Sequence, residues 1–367
     1  MSATDTTTPV NEAAVLQPGG SFYYENREVP TIQSDRDVIV KVIATGLCGS
    51  DVHYWQHGRI GRYVVEKPLI LGHESTGIVV SCGPNVQGLA AGDRVAMEPG
   101  AACNSCDFCR SGRYNLCRSM SFAATPPIDG TLCTYYRVPA ECCFKLPDHI
   151  SLRDGALVEP LSVAVHACRL AGDLQNRKAI VFGAGPVGLL CCAVARALGA
   201  ATVVIVDIVT SRLEVATKHG ATHTYQMSSE SPEENAKALL EVAGLGDGAD
   251  VVLDATGAEP CVNCGLHAVG PGGTFVQVGL GRPNVSIPLG QVCDKEVIVK
   301  GSFRYGPGDF SLAVGLLQAN RVNLEGLVTN EYSFSQVEEA FKNVANRVGI
   351  KSVIYGPGVD AATANSI

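Results

Sequence analysis

No stretch of the chain is rich in Lys or Arg, and no apolar run reaches membrane-spanning length before Gly, Asp or Lys interrupts it. With a formal net charge of -8, the first absence argues against the electrostatic footprint of a nucleic-acid or anionic-membrane binder. The second argues against a transmembrane helix. Met1 to Val10 is polar and lacks the cationic start and apolar run of a secretory signal, so a soluble cytoplasmic protein is expected. Internal repeats and low-complexity segments are also missing. A composition of 46% hydrophobic and 17% charged residues is unlike that of a disordered chain. Small molecules are left as the expected partners.

What is present begins with length. A chain of 367 residues exceeds one ordinary core, so two domains are expected. The N-terminal part holds short strands divided by turns, among them DVIVKVIATG, STGIVVSC, GDRVAM and TYYRVP. Such dense spacing predicts a small β-barrel-like domain over residues 1–160. Over residues 161–301 the pattern becomes apolar strand, glycine turn, helix and apolar strand, as in AIVFGAGPVGLLCCAVARALGAATVVIVD. That alternation predicts an α/β unit, a doubly wound parallel sheet covered on both faces. The tail, residues 302–367, is read as returning to complete the first domain.

Within the α/β part, Gly183, Gly185 and Gly188 form GAGPVG directly after a strand and open a helix. Glycine allows the tight turn and close approach of a pyrophosphate, and the helix N-terminus favours its charge. Asp207 ends the next strand, where a carboxylate can accept hydrogen bonds from the adenosine ribose and repel a 2′-phosphate. NAD is therefore the expected cofactor, with Arg212 as the one nearby cation. The alternative is a structural glycine turn followed by a solvated strand end.

Fifteen cysteines in a chain without an export signal are expected to stay reduced, so clusters among them point to metal or catalysis. Cys103, Cys106, Cys109 and Cys117 form CxxCxxCx7C, spacing that can close a tetrahedral zinc site with no open position. Such a site is structural; an iron-sulfur cluster or free thiols are the alternatives. A second set is mixed: Cys48 in GLCGSDVHYW, His73 and Glu74 in LGHESTG, and Glu159 in LVEPL. Cysteine, histidine and carboxylate suit a metal that keeps a position for water or substrate. Spacing alone leaves open a buried Cys48, a core His73 and capping glutamates. CVNC at Cys261 to Cys264 is read as packing in a helix.

The order of GHESTG, the cysteine lobe, GAGPVG, VEPLSVAVHA and FRYG resembles the zinc-dependent medium-chain dehydrogenases across essentially the whole chain. Within that family it is most similar to the polyol branch, the sorbitol and xylitol dehydrogenases, and GSFRYGPGDF is nearest the fungal xylitol enzymes. The resemblance implies a GroES-like catalytic domain built from both chain ends around a Rossmann NAD-binding domain. It implies a catalytic zinc on Cys48, His73 and Glu74, with Glu159 as a further ligand or the holder of a zinc-bound water. It lays polyol contacts on Tyr54, Glu159, Arg304 and Tyr305, and a proton relay on Ser50 and His53. Cofactor contacts are implied at Pro186, Val187, Val278, Gly279, Leu280, Ser302, Phe303 and Arg304 besides the glycines and Asp207. The implied activity is NAD+-linked oxidation of xylitol to D-xylulose by a homotetramer. Sorbitol (L-iditol) and arabinitol are the alternative substrates, and an NADP-linked reductase and a non-catalytic nucleotide-binding relative are the rival classes.

Overall fold

The computed structural model describes residues 9–366; most of the polar segment before Val10 lies outside the described residues. The chain divides into two compact units, one formed by the residues up to Glu159 together with Val328 onward, the other by Pro160–Leu327.

The first unit is organised around the strand Asp37–Gly46, in which every residue but one is buried. Its Val and Ile side chains are hidden on both faces, so it can only be an interior strand. It pairs antiparallel with Glu74–Cys82, Lys351–Tyr355 and Tyr135–Pro139. The seven-stranded sheet continues through Arg94–Met97 to Cys143–Lys145 on one side and to Val328–Tyr332 on the other. A smaller sheet joins Phe22–Arg27, Asn11–Leu16 and Leu69–Ile70. One core cluster holds Leu16, Leu47, Val52, Leu71 and Phe341. Val337, Ala340 and Phe341 are all fully buried. They recur at helical spacing along Val337–Ala345 and form its single apolar stripe.

The second unit carries a six-stranded parallel sheet in the order His223–Gln226, Thr202–Asp207, Lys178–Phe182, Ala249–Asp254, Val269–Gln277, Ile298–Gly301. This is the doubly wound arrangement, with the order reversing beside Lys178–Phe182, the strand that leads into GAGPVG. Its core includes Ile180, Phe182, Val204, Leu239, Val252 and Phe275. Cys264 belongs to that core, and Cys261 Sγ faces Met227 Sδ at 3.9 Å. The CVNC pair thus packs. The boundary read at residue 302 differs from the observed one: residues 302–327 cluster with the parallel sheet. Ser302 N–H donates to Gln277 O at 2.8 Å, and Phe310, Ala313 and Leu317 of the helix Asp309–Gln318 are buried. An apolar helix in the sequence carries no mark of which core it joins.

Phe341 meets the rings of Phe22 at 4.8 Å and Trp55 at 6.0 Å. Phe341→Ala is expected to lower stability by about 3–5 kcal/mol, the range for truncating a buried aromatic, as read by urea denaturation. A loss below about 1 kcal/mol would mean that the returning C-terminal segment is not integral to this core.

Candidate active site and metal centres

Three segments of the first unit bring Cys48, His73 and Glu74 together. The strand Asp37–Gly46 ends one residue before Leu47 and Cys48, and Cys48 is the N-cap of the helix Gly49–His57. His73 follows Leu69–Ile70 through Gly72, whose φ is +90°, and Glu74 opens the next strand. One donor atom from each of Cys48, His73 and Glu74 falls within 4.8 Å of the other two. His73 and Glu74 are buried, and Cys48 is partly exposed. A thiol, an imidazole and a carboxyl converging in this way fit a divalent ion of zinc's preference and supply three ligands, one short of a closed tetrahedron.

Two side chains that the motifs did not single out organise the trio. Asp51 is fully buried. One oxygen accepts the Cys48 N–H at 3.1 Å, the other accepts the Gly72 N–H at 3.1 Å and lies 3.3 Å from His73 Nδ1. Burial opposes both charges, but the pairing outweighs it, holding His73 well above its ordinary value and Asp51 below its own. With Nδ1 turned to a carboxylate, Nε2 is the nitrogen left for a metal. Lys351, from the far end of the chain, is 3% exposed, pairs with Glu74 Oε2 and donates to Leu47 O at 3.0 Å. Burial alone would favour a neutral amine, yet Glu74 and then Cys48 hold the lysine above its usual value. A sequence signal existed for Asp51, an acid three residues after an N-cap. None existed for Lys351.

Glu159 is buried in the first turn of the helix Val158–Ala171. It stands outside the trio, although its charge reaches Lys351. Ser50 is half-buried and His53 exposed on the helix Gly49–His57, the His53 ring lying 5.4 Å from that of His57. Tyr54 is 5% exposed within the apolar cluster. In the second unit, Tyr305 is buried with its ring edge-on to Phe310 at 4.8 Å. Arg304 has a φ of +58° and lays its guanidinium over the Phe303 ring at 4.8 Å.

The lobe gathers Cys103, Cys106, Cys109 and Cys117 within 4.8 Å. Sulfur separations of 3.5 Å for Cys106 to Cys109 and 3.9 Å for Cys103 to Cys109 bracket the ~3.8 Å edge of a tetrahedron of zinc-thiolate bonds. Hydrogen bonds from Ser105 and the Cys106 N–H pull Cys103 down to about 5, in keeping with a thiolate ligand. Four sulfurs at these separations fit a zinc ion and leave it no open position. The hairpin returning from the lobe, Ser121–Phe122 against Gly100–Ala101, sets the Phe122 ring 5.9 Å from that of His73.

In the second unit Gly183 has a φ of +95°. A Cβ at Gly188 would stand 1.7 Å from Gly183 O, so only glycine fits the third position of the helix Pro186–Ala197 this close to the turn. Asp207 accepts the Ala184 N–H at 2.6 Å and the Val209 N–H at 2.9 Å, which anchors a carboxylate beside the glycine turn. Ser302 Oγ is buried without a hydrogen-bond partner, a polar atom that a bound cofactor could satisfy. The cradle and the acid at its edge fit a dinucleotide.

Comparison with known proteins agrees with this geometry. The alcohol dehydrogenase GroES-like domain model matches residues 34–148, and the zinc-binding dehydrogenase model matches residues 186–319. D-xylulose reductase A of Aspergillus niger is 49% identical over 354 residues, covering 96% of this chain and 99% of that protein. The chain belongs to the zinc-binding dehydrogenase family. As a zinc-binding dehydrogenase it is similar in structure to an Escherichia coli oxidoreductase of unknown specificity, with a TM-score of 0.88, 32% identity and coverage of 95% and 99% of the two chains. L-idonate 5-dehydrogenase from Escherichia coli superposes with a TM-score of 0.86 at 28% identity, over 95% and 98%.

Gly46 pairs with Glu74 across the sheet, and a Cβ there would lie 2.4 Å from Glu74 Oε2 and 3.0 Å from Lys351 Cε. Gly46→Ala is expected to displace the Glu74 carboxylate and lower bound zinc by about one ion per chain, measured by elemental analysis of folded protein. Undiminished zinc would remove Glu74 from the ligand set.

Proposed function

We propose that this zinc-binding dehydrogenase oxidises xylitol to D-xylulose with NAD+ as hydride acceptor. The carrying observation is the convergence of Cys48, His73 and Glu74 within 4.8 Å in a chain 49% identical, nearly end to end, to a D-xylulose reductase. Cys48, His73 and Glu74 would hold a catalytic zinc, and the four lobe cysteines a structural one. When bound, the catalytic ion supplies a Lewis acid that lowers the pKa of a hydroxyl and favours negative charge on its oxygen.

The remaining work belongs to side chains. Lys351 balances the buried charge of Glu74, and Asp51 keeps the His73 ring oriented. Glu159 takes the hydroxyl proton, and Ser50 and His53 pass it to solvent. Arg304 and Tyr305 supply donors to the neighbouring hydroxyls of a polyol, which a simple alcohol lacks. Tyr54, 5% exposed in the apolar cluster, is a further polyol contact. Asp207 selects NAD+ over NADP+ by charge and by accepting from the ribose. One structural relative, a zinc-binding dehydrogenase of Sinorhizobium meliloti, was crystallised bound to NADP, so the choice rests on Asp207 and not on fold. Among the described residues no helix is long and apolar enough to cross a membrane.

A homo-oligomer, a tetramer by the resemblance, is supported by the sheet edge. Ile298 and Val299 are each 50% exposed on Ile298–Gly301, the last strand of the parallel sheet, and Leu289 nearby in sequence is 61% exposed. An open apolar edge of this kind is a template for pairing with a second copy.

Initial rates of NADH formation with xylitol, sorbitol, L-arabinitol and ethanol, repeated with NADP+, test the catalytic reading. Xylitol with NAD+ is expected to give the highest kcat/KM, with ethanol lower by about 100-fold or more. Comparable rates for ethanol and xylitol, or preference for NADP+, would overturn it. Ile298→Lys with Val299→Lys is expected to reduce the sedimenting mass of the assembly; an unchanged mass would move the interface elsewhere.

A further inference from the structure

We propose that Asp309, held by His166 and Arg169, is a positioning residue that fixes the loop bearing Arg304 and Tyr305 and so sets discrimination for hydroxyl-rich substrates. This rests on the reading that Arg304 and Tyr305 contact the polyol.

The loop runs from Ser302 to Gly308, between the strand Ile298–Gly301 and the helix Asp309–Gln318. Arg304 adopts a φ of +58°, a left-handed conformation unfavourable for a residue with a Cβ, which persists only where the surroundings hold it. Gly306 and Gly308 loosen the segment beyond it, and Asp309 fixes that part. Its side chain is fully buried. Instead of facing its own helix, one oxygen reaches back to accept the Gly306 N–H at 2.6 Å. The same oxygen lies 2.7 Å from His166 Nδ1, and a carboxylate only accepts, so that nitrogen carries the proton and donates it. The other oxygen pairs with Arg169, whose Nη1 also donates to Pro307 O at 2.9 Å.

Loop and helix are thus joined at Gly306, Pro307 and Asp309. His166 and Arg169 lie on Val158–Ala171, seven and ten residues beyond Glu159. A Cβ at Gly306 would come 3.4 Å from His166 Cε1, so the loop backbone lies directly against the imidazole. A buried carboxylate with three donors from two elements is costly to assemble unless all are present. What it immobilises is the peptide immediately after Arg304-Tyr305, so misplacing it shifts two donors at once.

The test uses the full-length, zinc-loaded enzyme with xylitol and with butane-2,3-diol, which has only one neighbouring hydroxyl. Asp309→Asn keeps the shape but loses charge and one acceptor. It is expected to raise the KM for xylitol about tenfold, to change kcat less than about threefold, and to lower the xylitol/butanediol ratio of kcat/KM about fivefold or more. Arg169→Ala, at a side chain 48% exposed and tolerant of folding, is expected to move the ratio in the same direction. A lower melting temperature with the ratio unchanged in both variants means that Asp309 merely begins a helix, and overturns the proposal. Arg304→Ala, run in parallel, separates the two ideas. If Arg304→Ala lowers the ratio and the others do not, the clasp fails and the polyol reading stands; if none does, the reading fails and takes the clasp with it.

Discussion

The carboxylate of Asp51 is the tie on which the candidate metal site depends. Sheet pairing brings Asp37–Gly46 beside Glu74–Cys82, but Cys48 and His73 lie past the ends of the ladder, where no interstrand hydrogen bond fixes them. Asp51 spans that gap by accepting from the Cys48 and Gly72 amides and turning to His73 Nδ1. Fully buried, it has no water to replace a lost partner, so its three interactions stand or fall together. Sheet register sets the donors to within a few ångströms, and this carboxylate sets the rest.

Charge explains why the chain must return. Cys48, Glu74 and Glu159 act on Lys351, Asp51 pairs with His73, and Lys351 arrives on a strand more than 270 residues after Glu74. A buried carboxylate without a partner is destabilising by several kcal/mol. Lys351–Tyr355 therefore does more than extend the sheet: it delivers the buried cation that pairs with Glu74. A divalent ion would neutralise what remains. The lobe reaches the same site differently, through the hairpin that sets Phe122 against His73, so the four-cysteine lobe braces one wall of the mixed trio.

The sequence made legible those features whose signal is local. The strands Asp37–Gly46, Glu74–Cys82 and Arg94–Met97 showed as apolar runs, GAGPVG showed its turn and helix, and four cysteines showed their ligand spacing. Features decided by distant partners were hidden. Asn11–Leu16 and Phe22–Arg27 escaped because FYYENR is too polar to read as a strand until its partner covers it. Lys351 looks like an ordinary exposed lysine, since its burial is decided by Glu74. Residues 302–327 read as part of the returning tail of the first domain, because Asp309 gives no local hint that His166 and Arg169 claim it.

A single device recurs at each place where function demands an exact backbone. Asp51 bridges the Cys48 and Gly72 amides, Asp207 those of Ala184 and Val209, and Asp254 those of Thr256 and Gly257. Asp309 takes the amide of Gly306. In every case the amide belongs to a turn beyond a strand or before a helix, a position whose N–H would otherwise lack a partner. The side chain is always aspartate because its short reach keeps the carboxylate against nearby backbone, while glutamate would carry it past and lose rotamer freedom in doing so. Charge-assisted bonds to two amides offset the cost of burying the acid. Glycine gives these turns their freedom, and aspartate removes it again. A chain with 40 glycines can therefore fix its backbone at the candidate metal trio, the glycine turn and the loop before Asp309, where strands end and helices begin.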